Sequence, residues 1–258
     1  MIVEQWLRSL EGLSNGTKSK IRNIMSGVFS HAIRLDMVNK NPITPVRQSG
    51  KRENIPVILE VGELHRLFDE LDVRERAMIV CDALTGMRKS ELMGLQWQDL
   101  DFIGGRINIV RSVVDQAIGN CKTEASRKPV VMDEHIAQAL MAWRRQSTYT
   151  CPEDWVWASP HMKGTQPLWL ATIMRYFIQP AAVRAGISKK IGWHTFRHTF
   201  STLIKSLGVD AKVVQELLRH ASFKTTMDGY TQVLEAPKRQ AQEQLADLIM
   251  RTGKVGHA

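Results

Sequence analysis

Cysteine is scarce: Cys81, Cys121 and Cys151 are three in 258 residues, odd in number and far apart. No C-x-x-C pair occurs, which argues against a disulfide framework and a zinc ribbon and fits a reducing cytoplasm. The sequence shows no signal-peptide pattern and no apolar run of membrane-spanning length, so no membrane partner is expected. There is no acidic cluster of the two-metal nuclease kind and no Gly-rich phosphate-binding loop. Internal repeats are lacking too. What the chain does carry is positive charge, a formal +9 with a pI near 9.6, on an ordinary globular composition of 43% hydrophobic and 24% charged residues. Such an excess favours a polyanionic partner.

The charge is uneven. Residues 1–52 hold nine Lys/Arg against three Asp/Glu, leaving the other residues nearly balanced. In this basic part, "TKSKIRNIMSGVFSHAIRLDMVNKNP" reads as an amphipathic helix running to Asn41-Pro42. Ile21, Ile24, Met25, Val28, Phe29, Ala32 and Ile33 form its apolar stripe. Lys18, Lys20, Arg22 and Arg34 lie off that stripe. A shorter helix, Val3 to Leu10, precedes it. Two helices are too little for a good core. "VRQSGKRENIPV", with Lys51 and Arg52, reads as a polar, basic linker.

Beyond the linker the spacing predicts helices at Glu60–Leu71, Arg74–Leu84 and Lys89–Leu95. A small antiparallel meander follows: "RINIVRSVV", a turn at Gly119-Asn120, and "KPVVMD". Helices return at Glu134–Gln146, Leu168–Ala185, Thr195–Ser206, Ala211–Leu218, Thr225–Gln232 and from Pro237 to about Met250. The fold class is mostly α with a small antiparallel sheet, an α+β layout.

Five places carry residues suited to chemistry on an anion. Arg88 follows a Thr-Gly turn in "LTGMRKSEL". Lys122 lies in "NCKTEASRKPVV". His194, Arg197 and His198 crowd "WHTFRHTF". Then His220 ends a helix in "LLRHAS", and Tyr230 follows in "KTTMDGYTQ". Each alone has a bland reading: a surface charge, a solvated turn lysine, a helix cap in the dipole field, a half-buried ring. A metal held by His194 and His198 lacks a third ligand at a telling spacing.

Taken together and in order, these boxes resemble the signature segments of the tyrosine recombinases, the phage integrase family. The similarity spans roughly residues 55–235. It implies a catalytic domain over 55–258, preceded by a short helical segment at 1–52, with its linker reaching to about 58. That segment resembles the end of the family's core-binding domain, and the resemblance implies further helices before it that this sequence is not expected to contain. The implied activity is site-specific cutting and rejoining of DNA without metal or ATP, for integration, excision or resolution of a mobile element. By position, Tyr230 is the nucleophile and Arg88 and Arg197 hold the scissile phosphate. Lys122 is the general acid, and His194 and His220 complete the pocket. Glu91 supports the Arg88 region and His198 stands behind. Lys18, Lys20, Arg22, Lys51, Arg52 and Arg219 are expected DNA contacts. The resemblance further implies double-stranded attachment sites as partners and self-association into a dimer or tetramer on DNA. Accessory bending or excision factors, and a place at the nucleoid in the cytoplasm of a bacterium, follow from it as well.

Two departures stand out. Gly229, before the nucleophile, replaces a commoner aliphatic residue and loosens a helix by about 1 kcal/mol relative to Ala. "LRH" replaces the commoner "LGH". The alternative readings are a type IB topoisomerase, with a similar Arg, Lys, His and Tyr pocket, and a non-catalytic DNA-binding regulator.

Overall fold

A computed structural model describes residues 2–50, 56–120, 127–220 and 222–223. The chain divides into two compact units, Met1–Pro56 and Val57–Ala258.

The first unit is built on α1 (Ile2–Ser9) and α2 (Asn15–Arg34). Ser14 starts α2 by accepting a hydrogen bond from the Thr17 amide at 3.2 Å, as an N-cap residue does. The helix stops at Arg34, not at Pro42. Asp36 turns left-handed (φ 55°), and the amides of Asp36 and Met37 bond back to Ile33 and Ala32. This double closure satisfies carbonyls that a longer helix would have used, and Asp tolerates the conformation better than most residues. Among the described residues of this unit only Leu7, Ile43 and Val46 are buried, with Ile21, Met25 and Phe29 packed against them. Ile24 and Val28, expected on the same stripe, are exposed.

The second unit has α3 (Val61–Asp69), α4 (Val73–Thr85) and α5 (Lys89–Met93), then the sheets. Strands β1 (Leu100–Asp101), β2 (Arg106–Ile107) and β5 (Val130–Val131) form one antiparallel sheet in the order β1-β2-β5. A separate hairpin pairs β3 (Arg111–Val114) with β4 (Ala117–Asn120). Its turn falls at Asp115-Gln116, both at positive φ, the geometry that suits the strand twist of a two-residue hairpin. Gly119 and Asn120, expected to turn, instead pair with Ser112 and Arg111 inside the ladder.

Helices α6 (Glu134–Gln146), α7 (Leu170–Ile173), a π turn (Met174–Ile178), α8 (Gln179–Arg184), α9 (Trp193–Ser206) and α10 (Ala211–Leu217) complete the described part. Helix α4 is buried along most of its length and packs against α6 and α9. Five tryptophans anchor this core. The indole N–H groups of Trp97, Trp143, Trp155, Trp157 and Trp193 each donate to a backbone carbonyl, so the rings bury their area without stranding a donor. Phe196 on α9 is fully buried, worth about 1.5–3 kcal/mol relative to exposure. It fixes the face of α9 that carries His194 and Arg197.

Among the described residues no helix is long and apolar enough to cross a membrane.

Candidate active site

Three segments meet around the arginines: the α4–α5 turn, the start of α9 and the end of α10. Gly86 closes α4 in the left-handed region (φ 59°). It is required there for space as well: a Cβ would stand 2.5 Å from Cδ1 of Phe200 on α9. The turn places Arg88 at the N-cap of α5, where its own amide donates to the Glu91 carboxylate at 2.9 Å. The Arg88 guanidinium bonds the same carboxylate at 2.8 Å and the Arg219 carbonyl at 3.2 Å.

At the far wall, α10 ends in a paired closure. The Arg219 amide bonds Glu216 and the His220 amide bonds Gln215, with Arg219 itself left-handed (φ 51°). This is the position that usually takes glycine. Arg197 reaches from α9 to both walls, donating to the carbonyls of Gly86 and of Leu218, the latter at 2.8 Å. The His194 and His198 rings lie 6.5 Å apart, one helical turn along α9.

Arg88, His194, Arg197 and His220 thus line one cavity of about 290 Å³, together with Met87, Lys89, Ser90 and Trp193. No carboxylate lines it among the described residues. Its electrostatics follow. Burial lowers the His220 pKa to about 4, with help from Arg197, Arg88 and Lys205. Burial, then Lys89 and Arg197, lower that of His194. Both imidazoles are therefore neutral near pH 7 and able to accept a proton. Burial and Arg88 bring Arg197 down to about 10, with Glu91 opposing, so it keeps its charge. The cavity offers fixed cations, neutral bases and no competing acid, an arrangement suited to a bound phosphodiester.

The structure separates the expected DNA contacts. Arg219 is buried, its side chain 2% exposed, and its guanidinium pairs with Glu91. It braces the Arg88 turn and does not face the cavity. Arg22 donates to the carbonyls of Ile43, Thr44 and Val46, clamping its own unit together. Lys20 is exposed, while half-buried Lys18 donates to the Arg8 carbonyl at 3.4 Å. Lys51, Arg52, Lys122, Gly229 and Tyr230 lie outside the described residues, as do Cys121 and the helices expected at 225–232 and 237–250. Among the described residues no three His, Cys, Asp or Glu side chains are grouped to hold a metal ion.

Sequence reading missed two participants. Lys89 was masked by its neighbour Arg88. Asp82, one turn before Gly86, is 1% exposed, and neither carboxylate oxygen has a hydrogen-bond partner among the described residues. Burial raises its pKa well above the usual carboxylate range, against the pull of Arg197.

Comparison with known proteins agrees with this geometry. The chain is 26% identical over 227 residues to the tyrosine recombinase XerC of Pediococcus pentosaceus, covering 83% of this chain and 70% of that protein. It is 29% identical over 226 residues to XerC of Thermodesulfovibrio yellowstonii, covering 84% and 71%. Among solved structures, the Tn1549 transposon integrase in complex with a circular intermediate DNA superposes with a TM-score of 0.77. Identity there is 20%, with 94% of this chain and 84% of that one covered, a likeness of fold. The profile of the phage integrase family matches residues 53–236, every cavity-lining residue included. A match over well more than half of the sequence, enclosing the whole arginine and histidine cluster, settles kinship: the chain belongs to the phage integrase family, the tyrosine recombinases.

Proposed function

We infer that this chain is a site-specific DNA recombinase that cuts and rejoins strands through a 3′-phosphotyrosine intermediate. The observation that carries the reading is the convergence of Arg88, His194, Arg197 and His220 from three separate segments on one cavity that no carboxylate lines among the described residues. The family's recombinase relatives support it.

In the proposed reaction Tyr230 attacks the phosphorus. The Oη–P bond forms as the P–O5′ bond breaks. The phenol proton passes to a neutral imidazole, and Lys122 donates a proton to the departing 5′ oxygen. A free tyrosine has a pKa of about 10, so phenolate at pH 7 costs about 4 kcal/mol, which nearby cations and a proton acceptor reduce. Arg88 and Arg197 bond the non-bridging oxygens, where charge gathers in the transition state. Loss of one such donor costs on the order of 10²–10³ in rate. An acid for a poor alkoxide leaving group contributes about 10²–10⁴. The phosphotyrosine bond conserves the energy of the broken linkage, so a 5′ hydroxyl of a partner strand can reverse the step without ATP. Every proton and electron pair is handled by these side chains, so the reaction is proposed to run in EDTA. The working assembly is a dimer or tetramer on double-stranded attachment sites in the nucleoid, with or without DNA-bending or excision factors.

The test uses a nicked suicide duplex whose site is selected by this protein from a random-sequence library. Incubation in EDTA followed by SDS is expected to trap a covalent 3′ adduct, absent from Tyr230→Phe. Intact binding with no adduct would leave only a DNA-binding regulator. Relaxation of supercoiled plasmid without strand exchange would point to a topoisomerase.

A further inference from the structure

Among the described residues the cavity has three cations, Arg88, Lys89 and Arg197, but they are not equivalent. Arg197 is tied to two carbonyls and Arg88 to a carboxylate and a carbonyl, so both guanidiniums are held in place. Glu91, the carboxylate in this turn, is already shared by Arg88 and Arg219. Lys89, the first residue of α5, lines the same cavity but is exposed, on a long flexible stem. Two guanidiniums suffice for the two non-bridging oxygens of one phosphodiester. A third, solvent-exposed point charge is available for a second phosphate.

We propose that Lys89 is a further DNA contact of this site, binding the phosphate next to the one that is cut. The proposal rests on the recombinase reading above. Lysine suits the place. Its compact, rotatable ammonium follows a neighbouring phosphate whose position shifts as the strand is exchanged, where a planar fork demands one geometry. Its charge also faces His194 and helps to hold that imidazole neutral. Exposure means that the lysine carries no desolvation penalty before DNA arrives, whereas releasing condensed counterions from the duplex favours the contact.

The experiment measures binding of the library-selected duplex against salt concentration, in a Tyr230→Phe background so that no cutting intervenes. Each phosphate contact contributes about 0.9 to the slope of log K against log salt. Lys89→Met is expected to flatten the slope by about 0.9, and Lys89→Arg to retain it. A neutral methylphosphonate at the phosphate next to the cut is expected to erase the difference between Lys89 and Lys89→Met. An unchanged slope in Lys89→Met overturns the proposal. So does a difference that survives the methylphosphonate, since the contact then lies elsewhere. Equal thermal unfolding of the variants confirms that folding is not the cause. Failure of the Tyr230 adduct in the chain carrying Lys89 would sink the recombinase reading and leave the slope result standing, so the two failures are separable.

Discussion

The two helix ends that frame the cavity solve one problem with opposite chemistry. Both α4 and α10 must stop abruptly and present carbonyls to arginines. Both do so through a left-handed residue, Gly86 at one end and Arg219 at the other. At Gly86 the turn needs emptiness, because Phe200 fills the space a side chain would take. At Arg219 the turn carries a large side chain and the backbone cost that goes with it, about 1–2 kcal/mol for a residue with a Cβ. The compensation is the buried pair with Glu91, whose other partner is Arg88. The lesson is that a left-handed turn reports a closure, and the surroundings decide which residue closes it.

Breaking the Gly86 end has the largest expected effect. Gly86→Ala adds both a left-handed Cβ and a clash, together about 2–5 kcal/mol, read as a fall in thermal unfolding temperature. The carbonyl that seats Arg197 moves with it, so adduct formation should fall further than stability explains. A variant as stable as the parent would mean that Phe200 yields freely.

At the other end, Arg219→Gly supplies the residue the turn prefers. If backbone strain dominated, the variant would be more stable. The structure predicts the reverse. Leaving Glu91 buried with one partner fewer costs about 3–5 kcal/mol, against a relief of about 1–2, so a net loss of about 1–4 is expected in denaturant unfolding.

The smallest effect concerns Asp82, whose carbonyl accepts the last bond of α4 from the Gly86 amide. Its folded pKa is raised, so the folded state holds a proton that the unfolded chain releases above about pH 4. Stability is therefore full below that value and declines as pH rises toward the folded pKa. Asn stays neutral throughout. The stability of Asp82→Asn relative to the parent is expected to grow as pH rises above about 4 toward the raised folded pKa, read in urea unfolding. A constant difference would mean that Asp82 titrates alike in both states.

Much of this was legible in the sequence. Among the described residues, the helices of the second unit fell within a few residues of their expected bounds, because the core imposes a 3.6-residue period on every helix that packs against it. The meander was not. "RINIVRSVV" reads as one β-prone stretch, yet Arg111 bonds Asp99 and the Gly94 carbonyl, and the stretch is split between two sheets. The turn was misplaced because Asp-Gln is a weaker signal than Gly-Asn, and pairing across the hairpin overrode the stronger one. In the site, the arginines and histidines stood out as a set, but burial did not. Nothing in "LLRHAS" says that Arg219 points inward to Glu91 while Lys89 lines the cavity. Arg22 likewise looked like a surface cation until three carbonyls were found around it.

Arg197 joins the carbonyls of Gly86 and Leu218, groups far apart along the chain. Closing such long loops is slow and entropically uphill until the ends lock. Seating this arginine is therefore a checkpoint on maturation. A nascent or partly folded chain holds the arginine without its two anchors. On the proposed reading of Arg197, strand cutting waits until the domain around it is whole.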